Sequence, residues 1–214
     1  MRYASIRKLD ISNGEGIGAS LFVQGCHFHC KNCFNKDTWD FDGGKEWTKD
    51  VKKKFMQLTE SSYIKRISIL GGEPLANENL KDVFDLITDL RSKYPIKRKI
   101  GTIYSYGNNY KHNILTRNSD EIRLSYPEKT IWLYSGFTWE QIMYPVVTDD
   151  FNPERDKFLK MRREIVKQCD VLVDGRYEED KRDVTYHWAG STNQRVIDVK
   201  KTLEQGSVVL WENQ

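Results

Sequence analysis

Gln24-Gly-Cys-His-Phe-His-Cys-Lys-Asn-Cys-Phe-Asn35 is the stretch on which the reading of this chain turns. Cys26, Cys30 and Cys33 follow a C-x3-C-x2-C spacing, which sets three thiolates on one tight loop; the remaining cysteine, Cys169, lies far away in sequence. A structural zinc takes four ligands and closes its shell. A [4Fe–4S] cubane held by three thiolates leaves one iron open to an outside ligand, and three cysteines without a fourth fit that arrangement better. His27 and His29 are the residues that would complete a zinc shell; the plainer reading makes both exposed loop positions.

Working outward, Ala19–Val23 is an apolar run that ends at Gly25 and reads as a strand delivering the cysteine loop at its C-terminal end. Val51, Phe55 and Leu58 fall at helical spacing, with Thr48 as cap. Ile64–Leu70 reads as a second strand, stopped by Gly71-Gly72-Glu73-Pro74. Leu80, Val83, Phe84, Ile87 and Leu90 make one helical stripe, closed by Pro95. Thr130–Tyr134 is a strand, and Thr138-Trp-Glu-Gln141 has the form of a capping box. Phe158, Arg162, Ile165 and Val166 mark a further helix, and Asp170–Val173 a further strand.

Strands alternating with helices imply crossovers and a mainly parallel sheet. The expected fold is α/β: an incomplete (β/α) barrel of mainly parallel strands with its chemistry at their C-terminal ends. The cysteine loop and Gly71–Pro74 both follow strands, so both belong on that rim. Ile96–Lys129 and Tyr144–Asp156 break the alternation. They read as insertions (96–129, with a local hairpin around Thr102–Tyr106, and 144–156) on a single domain of residues 1–214.

The 214 residues carry 34 basic and 31 acidic side chains, a net charge of +3, too near balance to argue for a nucleic-acid partner. Lys52-Lys53-Lys54 and Lys97-Arg98-Lys99 read as solvated faces, with an acidic electron donor as the sharper alternative. No apolar run approaches the ~20 residues of a membrane span, and Met1–Arg7 lacks a signal-peptide core. Four cysteines, three of them clustered, are not a secreted disulfide framework, so the expected compartment is a reducing cytoplasm.

Gly71-Gly72-Glu73-Pro74 is the second signal. Two glycines let the backbone approach a ligand closely, and Glu73 is placed to hold a positively charged amine. Alone, the stretch reads as an ordinary strand-to-helix turn; beside a three-cysteine loop it reads as part of a site. Asn13-Gly-Glu-Gly-Ile-Gly18 has the look of a dinucleotide fingerprint, but that motif must follow a strand and open a helix, and here a strand comes next. Cys169 reads as a buried free thiol, and Trp132, Trp139, Trp188 and Trp211 as core or interface anchors.

Taken together, the cysteine loop and Gly71–Pro74 resemble the radical S-adenosylmethionine superfamily. Cys33-Phe-Asn-Lys-Asp-Thr-Trp-Asp-Phe-Asp-Gly-Gly-Lys-Glu-Trp-Thr48 is similar to the activating enzymes of glycyl-radical proteins. Leu133–Glu140, Asp170–Gly175 and Gly190–Arg195 narrow the resemblance to the activators of anaerobic (class III) ribonucleoside-triphosphate reductase. The resemblance implies that Cys26, Cys30 and Cys33 bind a [4Fe–4S] cluster, whose open iron is chelated by the amino and carboxylate groups of S-adenosyl-L-methionine. It implies that Asn32 and Phe34 touch the adenosine part, and that Gly71, Gly72 and Glu73 hold the methionine part. The implied reaction makes a 5′-deoxyadenosyl radical that installs a glycyl radical on the reductase, with no catalytic residue beyond cluster and cofactor. A flavodoxin-like or other electron donor is implied as well.

Asn32 stands where many superfamily members carry an aromatic residue, and Gly18 where these activators often have an arginine. Two alternatives stand beside this reading. One is an activator of another glycyl-radical enzyme, of the pyruvate formate-lyase type, since Asp37-Thr-Trp-Asp40 suits both. The other is a non-enzymatic binding module stapled by zinc.

Overall fold

A computed structural model describes residues 1–109, 112–125, 127–145 and 152–211. Strand β1, Arg2–Asp10, returns through the short loop 11–17 into β2, Gly18–Val23. A loop that short carries no crossover, so β1 and β2 pair antiparallel. Next come the two-residue edge strand β3, Lys45–Glu46, and helix α1, Lys49–Leu58. Thr48 caps α1 by accepting a hydrogen bond from the Val51 N–H at 3.3 Å.

Strand β4, Arg66–Gly71, lies parallel to β2, from Gly18 opposite Arg66 to Val23 opposite Gly71. Helix α2, Asn77–Lys93, leads to a hairpin of β5, Lys97–Asn109, and β6, His112–Ser125. That hairpin forms its own two-stranded sheet and fills nearly all of the expected insertion, far more than Thr102–Tyr106. Strand β7, Thr130–Tyr134, is followed by α3, Trp139–Met143, where Thr138 and Gln141 form the expected capping box. Helix α4, Pro153–Gln168, absorbs the last residues of the expected 144–156 insertion, and 146–151 lie outside the described residues. Strand β8, Val171–Asp174, strand β9, Arg195–Asp198, and helix α5, Val199–Gln205, complete the order.

The seven-stranded sheet runs β3-β1-β2-β4-β7-β8-β9. Its centre, β2-β4-β7-β8, is parallel, because each step between these strands passes through at least one helix. Both flanks are antiparallel, which corrects the expectation of a mainly parallel sheet. The connection from β8 to β9 holds a single 3-10 turn, Glu179–Lys181, and no crossover helix.

Period-two alternation sorts the two faces. Ile67 and Ile69 of β4, with Ile131 and Leu133 of β7, enter the main core, to which α1 to α5 all contribute. Arg66, Ser68, Trp132 and Tyr134 take the other face, where Trp132 packs edge-on against Trp188 and Trp211. The helices therefore cover one face of the sheet and leave the other to a polar floor, a tryptophan cluster and the cavity below. Among the described residues no helix is long and apolar enough to cross a membrane.

Candidate functional site

The two loops singled out in the sequence are hydrogen-bonded to one another. Gly72 donates its N–H to Val23 O at 2.9 Å, and Glu73 donates to Gly25 O at 2.8 Å. The cysteine loop is closed at its base: Gly25 donates to Thr38 O at 2.8 Å and Cys26 to Trp39 O at 3.0 Å. His29 and Asn32 adopt left-handed backbone (φ 47° and 56°) and turn the chain between the cysteines. Cys33 donates its N–H to Cys30 O at 3.1 Å, and the Asn35 N–H reaches Cys33 Sγ at 3.4 Å.

Both histidines are exposed and engaged elsewhere. His27 pairs with Glu78 at 2.9 Å and packs on Phe41, while His29 stacks on Trp39 at 4.6 Å.

The glycines at 71 and 72 serve a close approach, and its object is the chain itself. A Cβ on Gly72 would lie 2.4 Å from Gly25 O and 3.0 Å from Thr38 O; one on Gly71, at φ 107°, would lie 2.8 Å from Val23 O. Only glycine lets the two loops touch in this way. Glu73 is buried, and its carboxylate ties the rim together. Oε1 accepts from the Leu75 N–H at 2.8 Å and from Ser135 Oγ at 2.9 Å, and Oε2 accepts from the Gly136 N–H at 2.7 Å. Burial pushes its pKa up to about 7, against the pull of those three donors and of Arg162.

A cavity of about 670 Å³ opens beyond the C-terminal ends of β2, β4, β7 and β8, a volume within the usual range for ligand sites. Cys26, Cys30, Cys33, Phe34, Gly71, Gly72 and Glu73 all line it. Asn32 is exposed and is not among the lining residues. Phe34 is 59 % exposed, with its ring 5.0 Å from Tyr177 and close against Gly190.

Asn13, from the stretch that the sequence leaves as an entry loop near the cluster, lines the cavity, and so do Arg7, Ser12, Tyr134 and the turn Gly175-Arg176-Tyr177, which the sequence did not point to. Arg7 stands on β1, where Arg7, Lys8 and Leu9 are all exposed, a pattern without the alternation that marks a strand in sequence. The turn at 175–177 follows β8 just as the cysteine loop follows β2, a positional signal that the sequence did offer. Gln194 donates to Gly175 O at 2.9 Å and Asn193 to Arg176 O at 2.8 Å, so Gly190–Arg195 braces this turn.

The thiols suit a multinuclear centre. All three are free and half-buried on one cavity wall. Among the described residues no three His, Cys, Asp or Glu side chains gather closely enough to hold a single metal ion. A [4Fe–4S] cubane takes each thiolate at a separate iron, and three free thiols on one cavity wall are a donor set of that kind. Burial pushes the Cys26 thiol up to about 11, with the Glu73 carboxylate adding to the rise, and burial and then Cys33 raise Cys30. Iron binding must displace these protons. Cys169 is fully buried in the core and donates Sγ–H to Ile165 O at 3.3 Å, away from the cavity.

The profile of the 4Fe-4S single cluster domain family matches residues 12–119 and 108–197. The chain is also 28 % identical over 196 residues to the anaerobic ribonucleoside-triphosphate reductase-activating protein of Pasteurella multocida, covering 91 % of this chain and 95 % of that one. The protein of the same description from Escherichia coli K12 is 28 % identical over 198 residues, covering 92 % and 97 % of the two chains. That of Enterobacteria phage T4 is 26 % identical over 196 residues, covering 92 % and 93 %.

Proposed function

The chain belongs to the 4Fe-4S single cluster domain family, and on that premise we propose that it is the activator of an anaerobic ribonucleoside-triphosphate reductase, a radical S-adenosylmethionine enzyme of one domain. Cys26, Cys30 and Cys33 hold the cluster, and the seven-stranded sheet is the wall of an incomplete (β/α) barrel. The observation that carries the reading is the junction of the cysteine loop with Gly71-Gly72-Glu73 at the edge of one cavity. The relatives named above, matched over nine-tenths of their length, supply the substrate.

When bound, the reduced [4Fe–4S] cluster would supply one electron to the sulfonium of S-adenosyl-L-methionine, whose C–S bond breaks to give methionine and a 5′-deoxyadenosyl radical that takes a hydrogen atom from a glycine Cα of the reductase, leaving 5′-deoxyadenosine and a glycyl radical. The chain's own residues bind, orient and exclude water. Gly71, Gly72 and Glu73 hold the methionine end, chiefly by main-chain carbonyls that accept from its amino group, because the Gly72 and Glu73 N–H groups and the Glu73 carboxylate are engaged within the fold. Phe34, 59 % exposed with the Arg182 guanidinium 5.4 Å from its ring centre, touches the adenosine part, and Asn32, turned out beside Cys33, reaches it from the rim.

The electron donor is flavodoxin-like or another acidic protein of the reducing cytoplasm. Lys31, Lys36, Arg176 and Arg182 are all exposed around the cysteine loop, which favours an acidic face there. Lys52–Lys54 lie on α1 and keep the plainer reading of a solvated face.

The test is to mix the anaerobically reconstituted protein with the reductase, a reductant and S-adenosylmethionine, and to record electron paramagnetic resonance spectra. A glycyl doublet on the reductase is expected, dependent on cofactor and on reductant. A doublet on pyruvate formate-lyase and none on the reductase would reverse the assignment.

A further inference from the structure

Two buried polar atoms on the cavity wall have no use within the fold, the indole Nε1 of Trp39 and the hydroxyl of Tyr134. Tyr134 ends β7 beside Val173 of β8 and lines the cavity. Its hydroxyl is buried and has no hydrogen-bond partner among the described residues. A buried hydroxyl left without a partner is costly, and folded chains rarely keep one without a purpose.

Most of the polar atoms around it are satisfied by one another. Asn13 Nδ2 donates to Asp10 Oδ2 at 2.6 Å, Ser68 Oγ donates to Asn13 O at 2.7 Å, and Arg66 Nη2 donates to Asp10 O at 2.6 Å. Those bonds pin the Ser12–Asn13 wall to the floor. Ser135, the next residue, spends its hydroxyl on Glu73. Arg66 Nε is also left without a partner, but Arg66 does not line the cavity, so Tyr134 is the unspent donor of this floor that does.

Burial drives its pKa upward, and the charges that act on it are Arg66 and Asp10, not the cysteine loop, so the hydroxyl stays a neutral donor at working pH. Ile11 and Val184, both lining the cavity, are 71 % and 77 % exposed, two apolar side chains open to solvent among polar neighbours such as Ser12, Asp183 and Thr185. A lining that pairs exposed apolar side chains with an unspent O–H suits an extended peptide of small side chains. Its free carbonyls need donors, whereas a charged small molecule would call for more of them.

We propose that Tyr134 is a binding residue for the partner, its hydroxyl donating a hydrogen bond to a main-chain carbonyl of the inserted segment that carries the reacting glycine. The inference rests on the reading of the protein as an activator of the reductase.

Tyr134→Phe removes the oxygen and keeps the ring, so stability should be unchanged or slightly raised. Iron content, S-adenosylmethionine affinity and deoxyadenosine formation without the reductase should match the parent. The KM for the reductase in glycyl-radical formation should rise about five- to tenfold, the worth of one good hydrogen bond. An unchanged KM overturns the proposal, and so does an equal loss of S-adenosylmethionine affinity, which would give the hydroxyl to the cofactor. A parent protein that cleaves S-adenosylmethionine yet makes no radical on the reductase removes the functional reading and this proposal together. A competent parent with an indifferent Tyr134→Phe removes this proposal alone.

Discussion

Arg195 grips Asp174 through two hydrogen bonds, Nε to Oδ1 at 3.0 Å and Nη2 to Oδ2 at 2.5 Å, and reaches Glu140 with Nη1 and Nη2 at 3.1 and 2.8 Å. Asp174 Oδ2 also accepts from the Trp139 N–H at 2.7 Å. The start of β9, the end of β8 and the first turn of α3 are thereby joined beside the cavity-lining turn Gly175–Tyr177. The three residues come from the three segments, Gly190–Arg195, Asp170–Gly175 and Leu133–Glu140, that narrowed the family resemblance. Their physical content is one ion network holding one turn.

Arg195→Ala should therefore lower stability. Breaking a buried pair costs about 3–5 kcal/mol. The Arg195 side chain is 33 % exposed and Asp174 only 1 %, so solvent recovers part of that loss. About 2 kcal/mol is expected from urea unfolding. Arg195→Lys should recover less than half, since an ammonium cannot fork between two carboxylates. An alanine variant as stable as the parent would remove the network's structural role.

Gly72→Ala should damage the junction between the two loops. The added Cβ meets backbone atoms, Gly25 O and Thr38 O, which cannot rotate away. Overpacking of that kind costs about 3 kcal/mol or more when the backbone must move. Gly206→Ala is the control: φ is +71° with no atom within 4 Å of the new Cβ, so only left-handed strain of about 1 kcal/mol applies. The measurements are urea midpoints and iron retained after reconstitution. Equal midpoints for the two variants would dismiss the clash.

The parallel centre of the sheet was legible because its strands are apolar and each is followed by a glycine-marked loop, as at Val23–Gly25 and Gly71–Gly72. The flanking strands were not. In β1 the residues Lys8 and Leu9 are exposed in succession, so period two is broken, and β9 is only four residues long. Within the site, the cysteines and Gly71–Glu73 could be read because their chemistry is unusual in a short window. Tyr134 and Arg176 could not, because a tyrosine in a strand and an arginine after one are ordinary until the fold turns them to a common wall. Gly18 found its reason only in three dimensions. A Cβ there would fall 2.6 Å from the guanidinium of Arg66 on the neighbouring strand, which fills the space an arginine at 18 would take.

Glu73 makes stability depend on pH in the sense opposite to most carboxylates. Its pKa in the fold is raised from 4.5 to about 7, so the native chain holds the proton more tightly than the unfolded one. Between those two values the native state binds more protons, and stability falls as pH rises. The loss across the window is at most about 3 kcal/mol. Urea unfolding of the cluster-free chain from pH 4.5 to 8 should show this decline, and Glu73→Gln should flatten it. A slope that persists in the glutamine variant would assign it to another group.

The cysteines give the sharpest division. Cys26, Cys30 and Cys33 line one cavity, whereas Cys169 is sealed in the core with its Sγ on Ile165 O at 3.3 Å. Replacing any of the first three by alanine leaves two thiolates and should abolish the brown colour, with iron and acid-labile sulfide falling to background after anaerobic reconstitution. Cys169→Ala should keep a full cluster and lose only packing, about 1 kcal/mol of stability. The two readouts move independently, iron for the loop and urea midpoint for the core. A Cys169→Ala protein without iron, beside a Cys30→Ala protein that retains it, would place the cluster elsewhere. A colourless parent carrying zinc would return the loop to a structural staple.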